Sequence, residues 1–264
     1  MLIIGERINS SRKQIANAIS SNDAGFIQNE AKTQAMAGAN YIDVNAGSFI
    51  GEEAKRLMWL IEVVQRVTDY PLCIDSPDPE VIKSVLPMVK TTPMINSINL
   101  EPHRLEDILP LVVEYKAKVI ALCQAEDSMA KTPEAKVKIA NQLVKKVTAS
   151  GVSLNDLYID PLIYPLSTDT ESAVATLDAI EQIMKQFPGV HTTCGLTNIS
   201  YGLPNRKLVN QTFLVAAIAH GLDSAIMDPT DKKLYGSLNA ALMVMGKDEF
   251  CMEYVMAFRE GRLE

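Results

Sequence analysis

Cysteine, histidine and aromatic residues are scarce: four Cys, three His and 6% Phe, Trp and Tyr in 264 residues. Cys73, Cys123, Cys194 and Cys251 lie far apart and form no C-x-x-C pair, which argues against a metal cluster or a redox dithiol. The first three sit in apolar, β-branched runs, where a free thiol behaves as a small buried hydrophobe. His103, His191 and His220 share no ligand-like spacing, so each reads as structural and no metal site is expected. No run approaches the ~20 continuous apolar residues that span a bilayer. The opening Met1-Leu2-Ile3-Ile4-Gly5-Glu6-Arg7 turns charged before a secretory apolar stretch can form. A basic face is missing as well: 25 Lys and Arg are scattered among 32 Asp and Glu, for a net charge of −7. Phosphate backbones need such a face, so nucleic acid is not an expected partner. Together these absences predict a soluble, cytoplasmic protein with neither membrane nor nucleic-acid partners.

What is present is an apolar fraction of 47%, enough at this length to bury a core without disulfide or metal support. Short β-rich runs alternate with segments of helical period along the whole chain. The runs are Leu2 to Arg7, Tyr41 to Asn45, Leu72 to Asp75, Met94 to Asn96, Val119 to Cys123, Leu157 to Asp160, His191 to Leu196 and Ser224 to Asp228. Between them, sets such as Leu57, Leu60, Ile61, Val64 and Val67 place one apolar stripe on a helix. Asp78-Pro79-Glu80 and Thr132-Pro133-Glu134 read as helix starts, while Gly38, Gly151, Gly189 and Gly221 read as helix stops. Pro110, inside a helical pattern, predicts a kink or a later start. Repeats averaging about 33 residues fit a (β/α)8 TIM barrel of ~250 residues. We read 1–264 as one α/β barrel domain, with an additional helix after Asp231. An open doubly wound sheet is the alternative, but Gly5-Glu6-Arg7-Ile8-Asn9 is not the glycine loop it requires.

A barrel of this kind carries its chemistry at the carboxyl ends of its strands. Those ends hold Glu6, Arg7, Asn9, Asp43, Asn45, Asp75, Asn96, Gln124, Glu126, Asp160, Thr197, Asn198 and Asp228. Any one of them has a turn or cap reading, yet turn residues need not converge on a single mouth. The strand ends offer no lysine for a Schiff base, no serine elbow and no histidine beside a nucleophile. Asp75 and Asp160 alone are compatible with glycoside cleavage. The accompanying amides, Asn96 and Asn198, favour a flat heterocycle with several N–H donors and lone pairs, such as a pterin.

These residues resemble the methyltetrahydrofolate:corrinoid protein methyltransferases, relatives of the folate module of cobalamin-dependent methionine synthase and, more distantly, of dihydropteroate synthase. The resemblance rests on Ile3-Ile4-Gly5-Glu6-Arg7-Ile8-Asn9, Asp43-Val44-Asn45-Ala46-Gly47, Leu72-Cys73-Ile74-Asp75-Ser76, Met94-Ile95-Asn96-Ser97, Ile159-Asp160-Pro161 and Gly195-Leu196-Thr197-Asn198-Ile199-Ser200, with Arg206 beyond. It implies a pterin held by Asp75, Asn96 and Asp160, with Asn198 hydrogen-bonded near the methyl-bearing N5. Thr197 and Arg206 would flank the folate, and Asp43 would orient Asn198 from behind. Tetrahydrofolate or its 5-methyl form would be the substrate, and a corrinoid (cobalamin) on a separate protein the partner. A homodimer is implied too. Two rivals share the pterin contacts: a dihydropteroate synthase, and a non-catalytic folate-binding subunit. The first needs a lysine-bearing glycine-rich segment after the strand-six Asp, where this chain has Pro161-Leu162-Ile163-Tyr164-Pro165. The second has no use for a group aimed at N5. A sugar-phosphate barrel would want a phosphate loop, for which Gly195 and Gly202 are too sparse.

Overall fold

A computed structural model describes residues 1–125 and 128–263. Its main sheet has eight strands: β1 (Leu2–Asn9), β2 (Tyr41–Asn45), β3 (Leu72–Asp75), β4 (Met94–Ile98), β5 (Lys118–Leu122), β6 (Leu157–Asp160), β7 (His191–Thr192) and β8 (Ser224–Met227). Every ladder is parallel, and β8 pairs with β1. The seam between β7 and β8 closes just past the end of β7, where Gly195 bridges Ile226 and the Ile226 amide donates to the Cys194 carbonyl at 2.9 Å. The result is the (β/α)8 barrel read from the sequence.

Helices α1 (Lys13–Ser21), α2 (Ala24–Met36), α3 (Glu53–Gln65), α4 (Pro79–Val85), α5 (Pro102–Glu114), α6 (Pro133–Ala149), α7 (Ser172–Gln186), α8 (Arg206–Ala219) and α9 (Lys232–Val244) surround it, and α10 (Met252–Arg259) follows. No helix among the described residues is long and apolar enough to cross a membrane. The helix starts are those the caps announce: Asp78 accepts from the Glu80 amide and Thr132 from the Ala135 amide. Gly38, Gly151, Gly189 and Gly221 all have positive φ.

Three details depart from the sequence reading. The first repeat carries two helices, because left-handed Asn22 (φ 53°) ends α1 and Asp23 at once caps α2 through the Phe26 amide at 3.0 Å. Helix α5 starts at Pro102, not after Pro110, which lies on its exposed side; the carbonyl left without its amide partner, that of Glu106, belongs to another exposed residue. The seventh run pairs as a ladder only over His191–Thr192 and turns into a 3-10 helix at Leu196–Ser200.

Strand alternation sorts the side chains. Outward residues such as Ile42, Ile74, Ile95, Val119 and Ile159 pack under the helices. Inward, Ile4, Tyr41, Cys73, Met94, Ile120 and Tyr158 form an apolar plug across the barrel. Below it the amino-terminal end is tied by His191, whose ring stacks on Tyr158 at 4.7 Å while Nδ1 lies 2.6 Å from Asp223. That histidine is structural, as its spacing predicts.

Candidate active site

The site follows from the plug by counting two residues along each strand. Side chains at i and i+2 share a face, so above Ile4, Tyr41, Cys73, Met94 and Tyr158 stand Glu6, Asp43, Asp75, Asn96 and Asp160. Register aligns the row: Asn45 opposes Asp75 and Asp75 opposes Asn96, while Asp160 stands beside Leu122. Carboxylates and amides therefore sit on an apolar floor, which makes their desolvation unavoidable.

Asp75 shows the consequence. Burial pushes its carboxyl up to about 6, against the Asn45 Nδ2 donor 3.0 Å from Oδ2. Asn45 also reaches the Asp75 carbonyl at 3.3 Å, and its own oxygen accepts from Ser10 Oγ at 2.9 Å and the Gly47 amide at 3.0 Å. Its orientation is thus fixed, and it holds the Asp75 carboxylate in turn. Asp43 is buried deeper, and desolvation followed by the nearby Asp75 charge drives it well above the ordinary range. It faces Asp75, Cys73, Asn96 and Glu6, and its Oδ1 has no hydrogen-bond partner among the described residues. No hydrogen bond joins Asp43 to Asn198 among the described residues; the amide it meets is Asn96.

Asp160 is 6% exposed, and burial raises it to about 6 as well. Its Oδ1 accepts from the Leu162 amide at 2.7 Å, and the Gly195 amide lies near enough to favour the charged carboxylate. Gly195 also touches Asn198: a β-carbon there would lie 2.9 Å from Asn198 Nδ2. Asp160 and Asn198 thus meet at one glycine. Thr197 Oγ1 donates to Glu6 Oε2 at 3.4 Å across the mouth. Arg206 bonds the Thr197 carbonyl at 2.8 Å and Ser200 Oγ at 3.1 Å, clamping the 3-10 turn that presents Asn198.

Other rim residues are engaged elsewhere. Arg7 forks onto Glu30 at 2.6 and 3.1 Å and reaches Asp228 Oδ2 at 3.0 Å, which binds the first strand to the last. Gln124 donates to Glu101 at 3.1 Å. Glu126 lies outside the described residues. A lysine does stand behind the mouth, Lys136, but it arrives from α6 rather than from a strand end. Only its position inside an apolar helix stripe, with Val137, Ile139 and Ala140, marks it in the sequence.

The family of pterin binding enzymes matches residues 5–228, from the first strand to the end of the last. The chain is 38% identical over 265 residues to the methylcorrinoid:tetrahydrofolate methyltransferase of Eubacterium limosum, covering 100% of this chain and 98% of that protein. It is 33% identical over 241 residues to the methionine synthase of Mycobacterium leprae, covering 86% of this chain and 20% of that much longer one. A solved dihydropteroate synthase from Clostridium difficile, with pteroic acid present, superposes with a TM-score of 0.71 at 20% identity, over 95% of this chain and 96% of that one. At that identity the likeness is one of fold. The matched span and the full-length relative agree: this chain belongs to the pterin-binding enzymes and, within them, to the family of the methylcorrinoid:tetrahydrofolate methyltransferase.

Proposed function

We propose that this barrel, residues 1–264, moves a methyl group between N5 of tetrahydrofolate and the cobalt of a corrinoid carried by a separate protein. The observation that carries the reading is the convergence of Asp75, Asn96 and Asp160 on one desolvated rim, with Asn198 reached from Asp160 through Gly195. The carboxylates accept N–H groups from the pterin's amino edge, and Asn96 pairs with its amide edge. The same burial that raises these carboxyls strengthens their bonds once the ring excludes water. Asp43, packed against Asn96 and Asp75, stands behind the ring contacts.

The chemistry is displacement at carbon. Co(I) supplies an electron pair to the methyl carbon in line with the N5–C bond; as that bond breaks its pair takes up one proton from solvent to leave N5–H, and cobalt becomes methyl-Co(III). N5 is a poor leaving group until it gains positive character. The neutral Asn198 amide donates to it without adding negative charge, and Thr197 and Arg206 hold the turn that presents that amide. Protonation of N5, favoured by that hydrogen bond, is worth ~10²- to 10⁴-fold, and alignment supplies much of the rest. The partner brings the nucleophile, so the open mouth serves as both substrate site and docking surface.

The test follows the Co(I) absorbance of a reduced corrinoid protein after adding 5-methyltetrahydrofolate and this enzyme. The expected result is an enzyme-dependent loss of the Co(I) band. Absence of any enzyme-dependent change with a panel of corrinoid proteins contradicts the function.

A further inference from the structure

Lys136 is 0% exposed, the one Lys or Arg among the fully buried side chains of the described residues. An ammonium in that position is costly unless well bonded, and Lys136 has two carbonyl acceptors. Its Nζ donates to the carbonyls of Pro161 and Leu162, both at 2.7 Å, and lies 5.0 Å from the Tyr164 ring centre. An apolar residue would have packed the α6 stripe without that cost, so the charge calls for a reason. Leu162 supplies one. It adopts φ 60°, a conformation that side-chain-bearing residues rarely take, and so turns its two polar groups to different partners. Its carbonyl accepts from Lys136 and from Thr176 Oγ1 at 3.3 Å, while its amide donates to Asp160 Oδ1 at 2.7 Å.

We propose that Lys136 is a positioning residue for the folate site, setting the orientation of Asp160 through Leu162 and supplying the positive charge that keeps that carboxylate an acceptor. The inference rests on the reading of Asp160 as a pterin ligand. The groups facing Asp160 are Lys136 from α6, Cys123 after β5, Cys194 after β7, Tyr164 in its own loop, and the Leu162 and Gly195 amides. Asp169 faces the ammonium. Lys136 is the only cation in that set.

The experiment uses the full chain with Lys136→Met, which removes the charge at similar volume, and Thr176→Val, which removes the other bond to the same carbonyl and leaves the charge. Two readouts are taken: tetrahydrofolate affinity between about pH 5.5 and 8.5, and the titration of Asp160 itself by carboxyl carbon NMR without ligand. Lys136→Met is expected to weaken binding at least ~10-fold at pH 7 with kcat changed less than ~3-fold, the pattern of lost binding rather than lost chemistry. It should also move the Asp160 titration upward. Thr176→Val should leave that titration in place. Should Lys136→Met fail to fold, Lys136→Arg is expected to fold and keep the wild-type titration. An unmoved Asp160 titration in Lys136→Met, an equal shift in Thr176→Val, or a raised titration in Lys136→Arg overturns the inference. Wild-type protein that binds no tetrahydrofolate overturns the pterin reading instead, and the ligand-free titration still decides the link between Lys136 and Asp160.

Discussion

Asn198 lies over Gly195 so closely that its Nδ2 is 2.9 Å from the place a β-carbon on that glycine would occupy. The crowded atom is the end of a side chain, so Gly195→Ala is expected to fold and to displace the amide. The Gly195 amide that serves Asp160 remains. Misplacement by about 1 Å costs ~10²-fold in rate. Stopped-flow methyl transfer should therefore slow by at least ~10-fold, while folate affinity measured by calorimetry changes little; unchanged transfer would show that the amide's position is not used.

Asn45 is the donor that opposes the desolvation of Asp75. Asn45→Leu removes it, so the Asp75 carboxyl should titrate above its present value of about 6. More of it is then protonated at neutral pH, and a protonated acid accepts less well from the pterin. Folate affinity should fall several-fold at about pH 7 and recover toward pH 8.5. A pH-independent loss would place the role of Asn45 in packing alone.

The raised acids also make stability depend on pH. Asp75 and Asp160 titrate at about 6 in the folded chain because burial disfavours their charged forms. The folded state therefore binds these protons more tightly than the unfolded chain. Their contribution is present below the ordinary carboxylate range and is lost as pH rises through about 6. The ligand-free protein is expected to melt higher near pH 5 than near pH 7.5, by several degrees at ~2–4 °C per kcal/mol. Asp160→Asn, which cannot ionise, should flatten that difference and weaken folate binding together. A higher Tm at pH 7.5 than at pH 5 in the wild type, with no flattening in Asp160→Asn, would contradict the cause given.

Much of this architecture was legible because its signals were independent. Strand runs, proline-bearing helix starts at Pro79 and Pro133, and positive-φ glycines at Gly38 and Gly221 all fall where the structure has them. Counting two residues past each plug residue even places Asp75, Asn96 and Asp160 on the inner face. The remainder depends on partners remote in sequence. Arg7 and Asp228 stand among the strand-end groups in the sequence, and their mutual ion pair spans 221 positions that no local pattern bridges. Lys136 has no signal of its own in the sequence, because the Pro161 and Leu162 carbonyls that hold it lie 25 and 26 positions away. Asn22-Asp23 divided a helical region because the two residues stop one helix and start the next, a signal weaker than periodicity.

The proposed mechanism separates the group that acts on N5 from the groups that hold the ring. It is tested most directly by measuring, in Asn198→Ala and Asp160→Ala side by side, the dissociation constant for 5-methyltetrahydrofolate and the single-turnover rate of methyl transfer to Co(I) at saturating folate. Asn198→Ala is expected to lose ~10²-fold or more in rate with affinity within about threefold of wild type, and Asp160→Ala to lose chiefly affinity. Equal losses of affinity in both variants, with the saturated rates preserved, would contradict it.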